Sequence, residues 1–349
     1  SRKEWPMNGK RPRGAVLVGS VPLNDAEEAL TTVSSILGKH LRRMPDGETG
    51  ARRNWIRWQL PLLSSLPFFE TAPVETGGYA EHPRVRLRPD VDPKTVAFGP
   101  LGYAEAAKTS FQVFKTLRKA GAVPKGMRFQ VSLPTPLAVV NRFVDPSSQA
   151  AIEPPYEKRL LAELKEICSA LPAVELAIQW DVAVELALLE GVWPSHLGNV
   201  KGGVMDRLVR LGNAVPADAE IGFHLCYGDF AHKHFTEPKD AGLLVDVANK
   251  LAAGVRRPID WVHMPVPRQR ADDEFFRPLA RLALKPGTEL YLGLIHQTDG
   301  AAGARARIQA ALNARGDFGV ATECGMGRRP AETSKGLLEL HAEVADPLS

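Results

Sequence analysis

The run Ile221-Gly222-Phe223-His224-Leu225-Cys226 is a short, nearly continuous apolar segment interrupted by a histidine and closed by a cysteine. A run of this length and composition predicts a buried strand. Seven similar runs occur along the chain, and most are separated by longer segments with the apolar period of an α-helix. The eight predicted strands are 15–19, 40–44, 129–133, 174–178, 221–226, 259–264, 290–295 and 318–322.

The alternation of strands and helices predicts the fold class. Plausible helices at 25–37, 155–171, 241–253 and 303–315 lie between the strands. Buried strands that alternate with helices form a parallel sheet covered on both faces, and eight of them are enough to close a (β/α)8 TIM barrel. We therefore predict an α/β fold with a single TIM-barrel domain over 1–349.

The segment 48–126, after the second strand, does not follow this alternation. It contains several aromatic residues and a stretch rich in Arg and Pro at 82–93. Long segments of this kind in compact domains are usually functional or contain structure that periodicity does not reveal. We predict an insertion here, such as a hairpin or a lid, within one domain.

Composition and charge limit the class of protein. The 349 residues are 44% hydrophobic and 24% charged, which is typical of a globular protein. A formal net charge of +4 is too small to predict a nucleic-acid-binding surface. No stretch has the roughly 18 apolar residues that cross a bilayer, and three scattered cysteines are typical of a reduced compartment. We expect a cytoplasmic protein without nucleic-acid or membrane partners.

Polar and sulfur-containing side chains are concentrated where the predicted strands end. In TIM barrels the active site lies on the loops that follow the carboxyl ends of the strands. The opposite ends of these strands carry mainly Gly, Glu, Arg and Pro in turn-like settings, without a comparable cluster. The candidate residues at the carboxyl ends are Ser20, Asp46, Glu48, Asp181, His224, Cys226, Tyr227, His263, His296 and Cys324.

His224 and Cys226 are the first candidates for metal ligands. Residues two apart on a strand point to the same face, so an imidazole and a thiol are expected side by side. The pair alone is weak evidence, because a buried cysteine commonly behaves as a small hydrophobe. Cys324 ends the last strand and can reach the same rim of a closed barrel. Three ligands with an open fourth position are typical of a catalytic zinc site.

Other polar residues have both a functional and a structural interpretation. Ser20 follows the first predicted strand and can cap a helix, although Asn24 and Asp25 are better placed as caps. Asp46 and Glu48 lie in a turn rich in Asp and Gly, where either substrate contacts or salt bridges are expected. His232 and His234, in a polar segment, are expected to be exposed loop residues.

Several motifs resemble those of cobalamin-independent methionine synthase. His224-Leu225-Cys226-Tyr227 and Glu323-Cys324-Gly325-Met326-Gly327-Arg328-Arg329 are similar to its His-x-Cys-Tyr and Asp-Cys-Gly-x-x-x-Arg segments. Gly19-Ser20-Val21-Pro22 is similar to its Gly-Ser-x-Pro turn, and Ile178-Gln179-Trp180-Asp181 to the start of its Ile-Gln-x-Asp-Glu-Pro motif. Leu294-Ile295-His296 matches a strand that ends in the family's proposed proton-donor histidine.

This resemblance runs in the same order over 14–329 and implies a barrel of the uroporphyrinogen decarboxylase and methionine synthase superfamily. It implies an enzyme that activates a small-molecule thiol as a zinc thiolate and transfers an alkyl group, in the first place methyl, to it. The donor would be a folate, a corrinoid, an aromatic ether or an epoxide. The residues implied are His224, Cys226 and Cys324 for Zn²⁺, His296 and Asp181 for catalysis, and Ser20, Asp46, Glu48 and Tyr227 for substrate.

The chain departs from the family near the metal. Pro265 stands close to the position of the family's glutamate ligand, so a fourth protein ligand is expected only if His263 or Asp260 supplies it. A set of one His and two Cys is similar to that of epoxyalkane:coenzyme M transferase, where the thiol substrate fills the remaining position. The alternatives are a zinc lyase, hydrolase or epoxide-opening enzyme, a metal-free decarboxylase that uses Asp46, and a non-catalytic barrel that keeps the site as a relic.

Overall fold

Seven of the eight predicted strands form one parallel sheet in the computed structural model, which describes residues 10–73 and 82–348. The described strands are β1 (Arg43–Pro45), β2 (Phe69–Ala72), β3 (Arg84–Leu87), β4 (Arg128–Pro134), β5 (Leu176–Val182), β6 (Glu220–Leu225), β7 (Trp261–Pro265), β8 (Glu289–Ile295) and β9 (Gly319–Thr322). The order in the large sheet is β1-β4-β5-β6-β7-β8-β9. Parts of the predicted domain and insertion, at 1–9, 74–81 and 349, lie outside the described residues.

Helices connect the strands of this sheet. The described α-helices are α1 (Ala26–Leu37), α2 (Gln59–Ser65), α3 (Tyr103–Lys119), α4 (Pro136–Phe143), α5 (Pro146–Ala170), α6 (Val184–Leu189), α7 (Val200–Ala214), α8 (Gly242–Gly254), α9 (Asp273–Phe276), α10 (Gly300–Ala314) and α11 (Ser334–Val344). The four predicted helices correspond to α1, α5, α8 and α10. None of the helices in the described part of the chain combines the length and apolarity needed to cross a membrane.

Local sequence signals determine where two of these helices begin. The Asp25 carboxylate accepts a hydrogen bond from the Glu28 amide at 2.8 Å, which caps α1 as expected. The helix α5 begins at Pro146 and not at 155 as predicted, because the Asp145 carboxylate accepts from the Ser147 amide at 3.0 Å and Pro146 occupies the first turn.

The central strand β5 shows why these strands have continuous apolar sequences. All seven of its residues are buried, as expected for a parallel strand covered on both faces. The predicted boundaries at 174–178 are too early, because Ala173–Glu175 form a 3₁₀ turn in which Val174 is 69% exposed. Arg128 holds this turn by donating to the carbonyls of Ala173 and Leu176 at 3.0 and 3.1 Å.

The predicted first strand, 15–19, is not a regular strand. It makes isolated parallel bridges, Ala15 with Val320 on one side and Ser20 with Gly47 on the other. The segment therefore joins the two edges of the sheet, β9 and the end of β1, through a few backbone hydrogen bonds. The large sheet of the described residues therefore has seven regular strands, and an eighth strand that closes the barrel stays a prediction.

Side chains explain the irregularity of this segment. The carbonyl of Val18 accepts from Ser132 Oγ at 2.9 Å and from Gln179 Nε2 at 2.5 Å, and the carbonyl of Leu17 accepts from Gln130 Nε2 at 3.0 Å. Polar side chains of β4 and β5 thus satisfy acceptors that a regular strand would satisfy with a backbone ladder.

The described part of 48–126 contains both regular and additional structure. The strands β2 and β3 pair antiparallel, from Phe69 opposite Leu87 to Ala72 opposite Arg84, in a sheet of their own. The helix α3 packs on α1 and α5 and connects β1 with β4 in the manner of a barrel helix. Part of this segment therefore continues the β/α alternation, and the insertion stays a prediction for the remainder.

Ion pairs hold the amino ends of the strands together. Arg43 of β1 donates to the carboxylate of Glu220 and, at 2.7 Å, to that of Glu289. Arg128 pairs with Glu220 at 2.9 Å, and the Arg43 guanidinium lies 4.3 Å from the ring centroid of Trp261. The Glu and Arg residues that looked turn-like in the sequence therefore form a paired network at this end of the sheet.

Candidate metal centre

Three side chains from distant parts of the chain meet at the carboxyl-terminal rim of the sheet. The ligand atoms of His224, Cys226 and Cys324 all lie within 4.8 Å of one another, and the two sulfurs are 3.6 Å apart. His224 belongs to β6, Cys226 follows it directly, and Cys324 follows β9. The parallel arrangement of the strands thus brings together the three ligands predicted from the sequence.

The chemistry of this group fits zinc. His224 and Cys226 are buried, and Cys324 is half-buried. The neighbouring Cys226 sulfur, together with burial, raises the pKa of the Cys324 thiol well above its usual range. Two thiolates at this distance therefore need a cation beside them, and one imidazole with two thiolates is a ligand set typical of Zn²⁺.

Neither of the two alternative fourth ligands belongs to this group. Both ring nitrogens of His263 have other partners, since Nδ1 lies 2.7 Å from His224 Nδ1 and Nε2 lies 2.9 Å from the Thr322 carbonyl. Asp260 accepts from the Ile221 amide at 2.7 Å, at the amino ends of β6 and β7 and so at the opposite end of the sheet. In the described structure neither His263 nor Asp260 therefore joins the group of His224, Cys226 and Cys324.

A cavity opens on the three ligands. It contains about 960 Å³ of empty space, including open solvent at its mouth, and His224, Cys226 and Cys324 form part of its wall. Aromatic rings and guanidinium groups surround the rest of this space, among them Trp55, Trp193, Phe235, Arg57, Arg142 and Arg328. A small molecule in the cavity would reach the ligand atoms directly.

Two of the predicted carboxylates, Glu48 and Asp181, line the cavity. Asp181 accepts from Trp55 Nε1 at 3.2 Å and from Gln179 Nε2 at 3.0 Å. Burial raises the pKa of Asp181 to about 7, and burial followed by the charge of Asp181 raises the pKa of Glu48 well above its ordinary value. The pair is therefore expected to hold a proton at neutral pH.

The position of Glu48 depends on two glycines, Gly47 beside it and Gly19 in the first segment. Gly47 and Glu48 both have left-handed backbone conformations, with φ of 83° and 46°, which turn the Glu48 side chain back over the first segment. A Cβ at Gly19 would lie 2.3 Å from Glu48 Oε1. Gly19 of the Gly-Ser-x-Pro turn thus leaves the space that this carboxylate occupies.

Ser20 lines the cavity and also holds the loop that follows β9. Its hydroxyl oxygen accepts from the Gly327 amide at 3.0 Å, and its carbonyl accepts from the Met326 amide at 2.8 Å. Gly325 permits this contact, because a Cβ there would lie 2.3 Å from Ser20 Oγ. A role in substrate binding stays a prediction, whereas its role in fixing the Cys324 loop follows from these contacts.

Two predicted substrate contacts lie outside the cavity wall. Asp46 accepts from Arg52 at 2.5 Å, from Ser110 Oγ at 2.6 Å and from the Glu48 amide at 2.9 Å, so internal partners occupy its oxygens. The Tyr227 hydroxyl donates to Glu190 at 2.7 Å, and its ring stacks on Phe235. Both residues therefore bind other protein groups, and neither lines the cavity.

The predicted proton donor His296 also lies outside the cavity wall. Its Nε2 donates to the Val266 carbonyl at 2.8 Å, and its Nδ1 lies 3.4 Å from Glu323. The same carboxylate binds His234 Nε2 at 2.8 Å. These contacts join the loops after β6, β7, β8 and β9 around Cys324.

The prediction that His234 is an exposed loop residue is wrong, because its ring hydrogen-bonds the Glu323 carboxylate. Its side chain is 8% exposed. Although burial alone would lower it, the hydrogen bond and charge of Glu323 raise the pKa of His234 to about 9. Against the effect of burial, hydrogen bonds from His234 and His296 lower the pKa of Glu323. His232 is exposed, as expected.

Asp229 is a candidate that the sequence analysis missed. It is 4% exposed and lines the cavity three residues after Cys226, and its Oδ2 has no hydrogen-bond partner among the described residues. Burial and the charge of Glu323 raise the pKa of this carboxyl group. A carboxylate directly after the His-x-Cys strand was the available signal, because the loop after that strand faces the same rim.

Comparison with solved structures supports the fold. A B12-independent methionine synthase from Shewanella sp. W3-18-1 in complex with selenomethionine has a TM-score of 0.59 and 16% identity, covering 95% of this chain and 96% of that one. A proposed vitamin-B12-independent methionine synthase from Listeria monocytogenes has a TM-score of 0.56 and 18% identity, covering 97% of both chains.

A third similar structure is a methyltransferase from Methanosarcina mazei, with a TM-score of 0.54 and 13% identity, covering 97% of this chain and 95% of that one. No family model matches the chain, and no curated protein matches it in sequence. Over nearly its whole length, the chain therefore has the fold of B12-independent methionine synthase-like and methyltransferase structures.

Proposed function

We propose that this protein is a zinc-dependent transferase that moves an alkyl group, in the first place methyl, from a donor to a small-molecule thiol. The observation that carries the proposal is the meeting of His224, Cys226 and Cys324 in the wall of a cavity. The names of the structural neighbours support the same class of reaction. We also propose that the segment before Ser20 completes an eight-stranded barrel. The location that we propose for the protein is the cytoplasm.

The three ligands are proposed to hold zinc with its fourth position open to the cavity. Structural zinc sites are usually closed by four protein ligands, whereas catalytic sites keep one position for water or substrate. Zinc bound there would supply the positive charge that keeps a sulfur ligand deprotonated near neutral pH. Cys226 and Cys324 make the site rich in sulfur, which suits a soft thiol better than a carboxylate substrate.

Proton transfer is proposed for carboxyl groups that line the cavity. A general acid works best when its pKa lies near the working pH, and the pKa of about 7 at Asp181 meets this condition. Asp181 with Glu48 is thus better placed than His296 to protonate a leaving group. Asp229, whose Oδ2 has no hydrogen-bond partner among the described residues, lines the same cavity as the three ligands and is placed to accept the proton of an incoming thiol.

The aromatic rings and guanidinium groups of the cavity wall suit a flat, anionic donor. The Arg142 guanidinium lies 4.2 Å from the ring centroid of Trp193, and Arg57 and Arg328 line the same space. Aromatic faces receive planar molecules, and guanidinium groups bind carboxylates or phosphates. Among the expected donors, this combination favours a folate or an acidic aromatic ether over a neutral epoxide.

A metal-free decarboxylase that uses Asp46 is not favoured. Arg52, Ser110 and the Glu48 amide already bind the Asp46 carboxylate, which does not line the main cavity. No observation favours this alternative over the thiol-alkylating enzyme.

Zinc analysis with X-ray absorption tests the proposal. The purified protein should bind about one zinc ion per chain with two sulfur ligands, and addition of the right thiol should raise the sulfur count by one. A protein with no affinity for zinc would refute the proposal. A zinc-loaded protein that gains no sulfur from a broad panel of thiols would favour a lyase, hydrolase or epoxide-opening enzyme.

Transfer itself needs a second assay. Thiols that add a sulfur ligand should be alkylated when methyl donors are supplied, with the product identified by mass spectrometry. A protein that binds zinc and thiol but alkylates nothing would favour the non-catalytic relic.

A further inference from the structure

We infer that His263 is a positioning residue that determines which ring nitrogen of His224 is free to bind a metal. The two histidines are opposite each other in the parallel register of β6 and β7. Their ring centroids are 4.7 Å apart, and both side chains are buried. The inference rests on the proposed zinc site for its purpose, whereas the hydrogen bonds behind it are independent of any metal.

The position of each proton follows from the partners. A backbone carbonyl only accepts hydrogen bonds, so His263 Nε2, at 2.9 Å from the Thr322 carbonyl, must carry a hydrogen. A neutral imidazole has one N–H, which leaves His263 Nδ1 as an acceptor. The contact of 2.7 Å between the two Nδ1 atoms then requires the hydrogen to belong to His224.

This assignment leaves His224 Nε2 with its lone pair. Both rings are buried, and the hydrogen-bond partners of His263 are the Thr322 carbonyl and the other imidazole, with no carboxylate among them, which favours two neutral rings. The ring orientation is fixed as well, because a ring flip of His224 would break the bond to His263. Hydrogen bonds of this kind to the second nitrogen of a histidine ligand commonly strengthen metal binding.

Hydrogen bonds also link His263 to Cys324, the ligand that follows β9. The Thr322 carbonyl that accepts from His263 is two residues before Cys324, and Thr322 Oγ1 donates to the Cys324 carbonyl at 2.7 Å. One chain of contacts therefore links the histidine ligand on β6 to the cysteine ligand after β9. His263 and Thr322 hold the two in a common geometry.

An irregularity in β8 allows this link. The register between β8 and β9 shifts between Leu292 and Ile295, which interrupts the ladder near Thr322. Gly293 lies within the shift, and a Cβ there would be 2.6 Å from Glu323 Cα and 3.1 Å from Pro265 Cα. The absence of a side chain at Gly293 lets the ends of β7 and β9 approach closely enough for His263 to reach Thr322.

The proton assignment is tested by ¹⁵N NMR of histidine in the metal-free protein. Two-bond ¹H–¹⁵N correlations should show His224 protonated on Nδ1 and His263 protonated on Nε2. The His224→Gln variant identifies the His224 signals by their loss. A His224 ring protonated on Nε2 would overturn the inference, and the measurement needs neither zinc nor substrate.

The consequence for metal binding is tested by zinc competition with a chromophoric chelator. His263→Leu removes the acceptor and should weaken zinc binding roughly 10–100-fold. His263→Gln should restore most of the affinity, because its amide can accept from His224 and donate to Thr322. Zinc affinity equal to wild type in His263→Leu would overturn the inference.

A matched control separates positioning from general damage to the core. His341 is also buried, and its Nδ1 bonds the Leu337 carbonyl in α11, away from the site. His341→Leu should leave zinc affinity unchanged, and an equal loss in both variants would overturn the inference. If the wild type showed the expected protonation but alkylated no thiol, the proposed function would fail and the inference would stand.

Discussion

Both ends of the parallel sheet are rich in buried polar groups, but the two ends differ in which groups are neighbours. At the amino end Arg43 lies between Glu220 and Glu289, and each charge has an opposite partner. At the carboxyl end Cys226 lies beside Cys324, and Asp181 lies near Glu48, so groups of the same kind are neighbours. Paired charges strengthen a fold, whereas neighbouring like groups keep a site ready for a cation or a proton.

The pKa values follow this difference. Burial would lower the pKa of Arg43, but the charges of Glu220 and Glu289 raise it and keep the guanidinium ionised. Burial raises the pKa of Asp181 to about 7, and Cys226 with burial raises that of Cys324. The charged form is therefore favoured for Arg43 at the amino end and disfavoured for Asp181 and Cys324 at the carboxyl end.

The largest effect is expected from the sulfur ligands. Cys226→Ser and Cys324→Ser should each lose most of the bound zinc and lower the rate of alkyl transfer roughly a thousand-fold, because a bound metal supplies several kcal/mol of charge stabilisation. Elemental analysis and initial rates measure both. Cys168→Ser, on α5, is the matched control and should change neither. Full zinc content in either ligand variant would contradict the assignment.

The amino end should respond in stability and not in metal content. Arg43→Met leaves the carboxylates of Glu220 and Glu289 without their shared partner, and we expect the free energy of unfolding to fall by about 3 kcal/mol. Urea unfolding measures this fall. Arg281→Met breaks an exposed pair with Asp246 and should cost less than about 1 kcal/mol. A loss of zinc in folded Arg43→Met protein would erase the contrast between the two ends.

Asp181 tests the proton-holding side of the comparison. If Asp181 and Glu48 donate a proton, kcat/KM should fall as the pH rises above about 7, because the acid is then ionised. Asp181→Asn should lower kcat/KM roughly 100-fold and remove this pH limb. His296→Gln is the comparison, because it replaces the other candidate donor. Loss of the limb in His296→Gln alone would return the role to the histidine.

The smallest effect is expected where the carboxyl end contains paired charges. The folded pKa of His234 is about 9, above its ordinary 6.5, so its contribution to stability is complete below pH 6.5 and is lost as the pH rises through 9. The lowered pKa of Glu323 keeps its own contribution present above its ordinary 4.5.

His234→Gln should therefore lower the free energy of unfolding by about 2 kcal/mol near pH 6. Urea unfolding at two pH values checks this, and the difference from wild type should shrink by pH 10. A difference that grows with pH would show that His234 is not charged in the folded protein.

Two predicted strands, 221–226 and 15–19, show what the apolar pattern of a sequence can and cannot predict. The apolar run at 221–226 predicts β6, and the two-residue spacing of His224 and Cys226 predicts that their side chains lie on one face. The same reasoning failed at 15–19, because side chains of Gln130, Ser132 and Gln179 take the carbonyls of that segment. An apolar pattern indicates which residues are buried. It does not indicate whether distant polar side chains will bind the backbone carbonyls of the segment.

Residue types and spacing were enough for the α/β alternation, the polar rim and the sulfur-rich ligand set, since these depend on local chemistry. Which polar groups face the cavity depended on three-dimensional packing. Asp46 meets Ser110, Tyr227 meets Glu190, and His263 reaches Thr322 only because Gly293 allows two strand ends to approach. Such contacts join residues far apart in the chain, so their partners are chosen by strand register and close packing and not by neighbouring sequence.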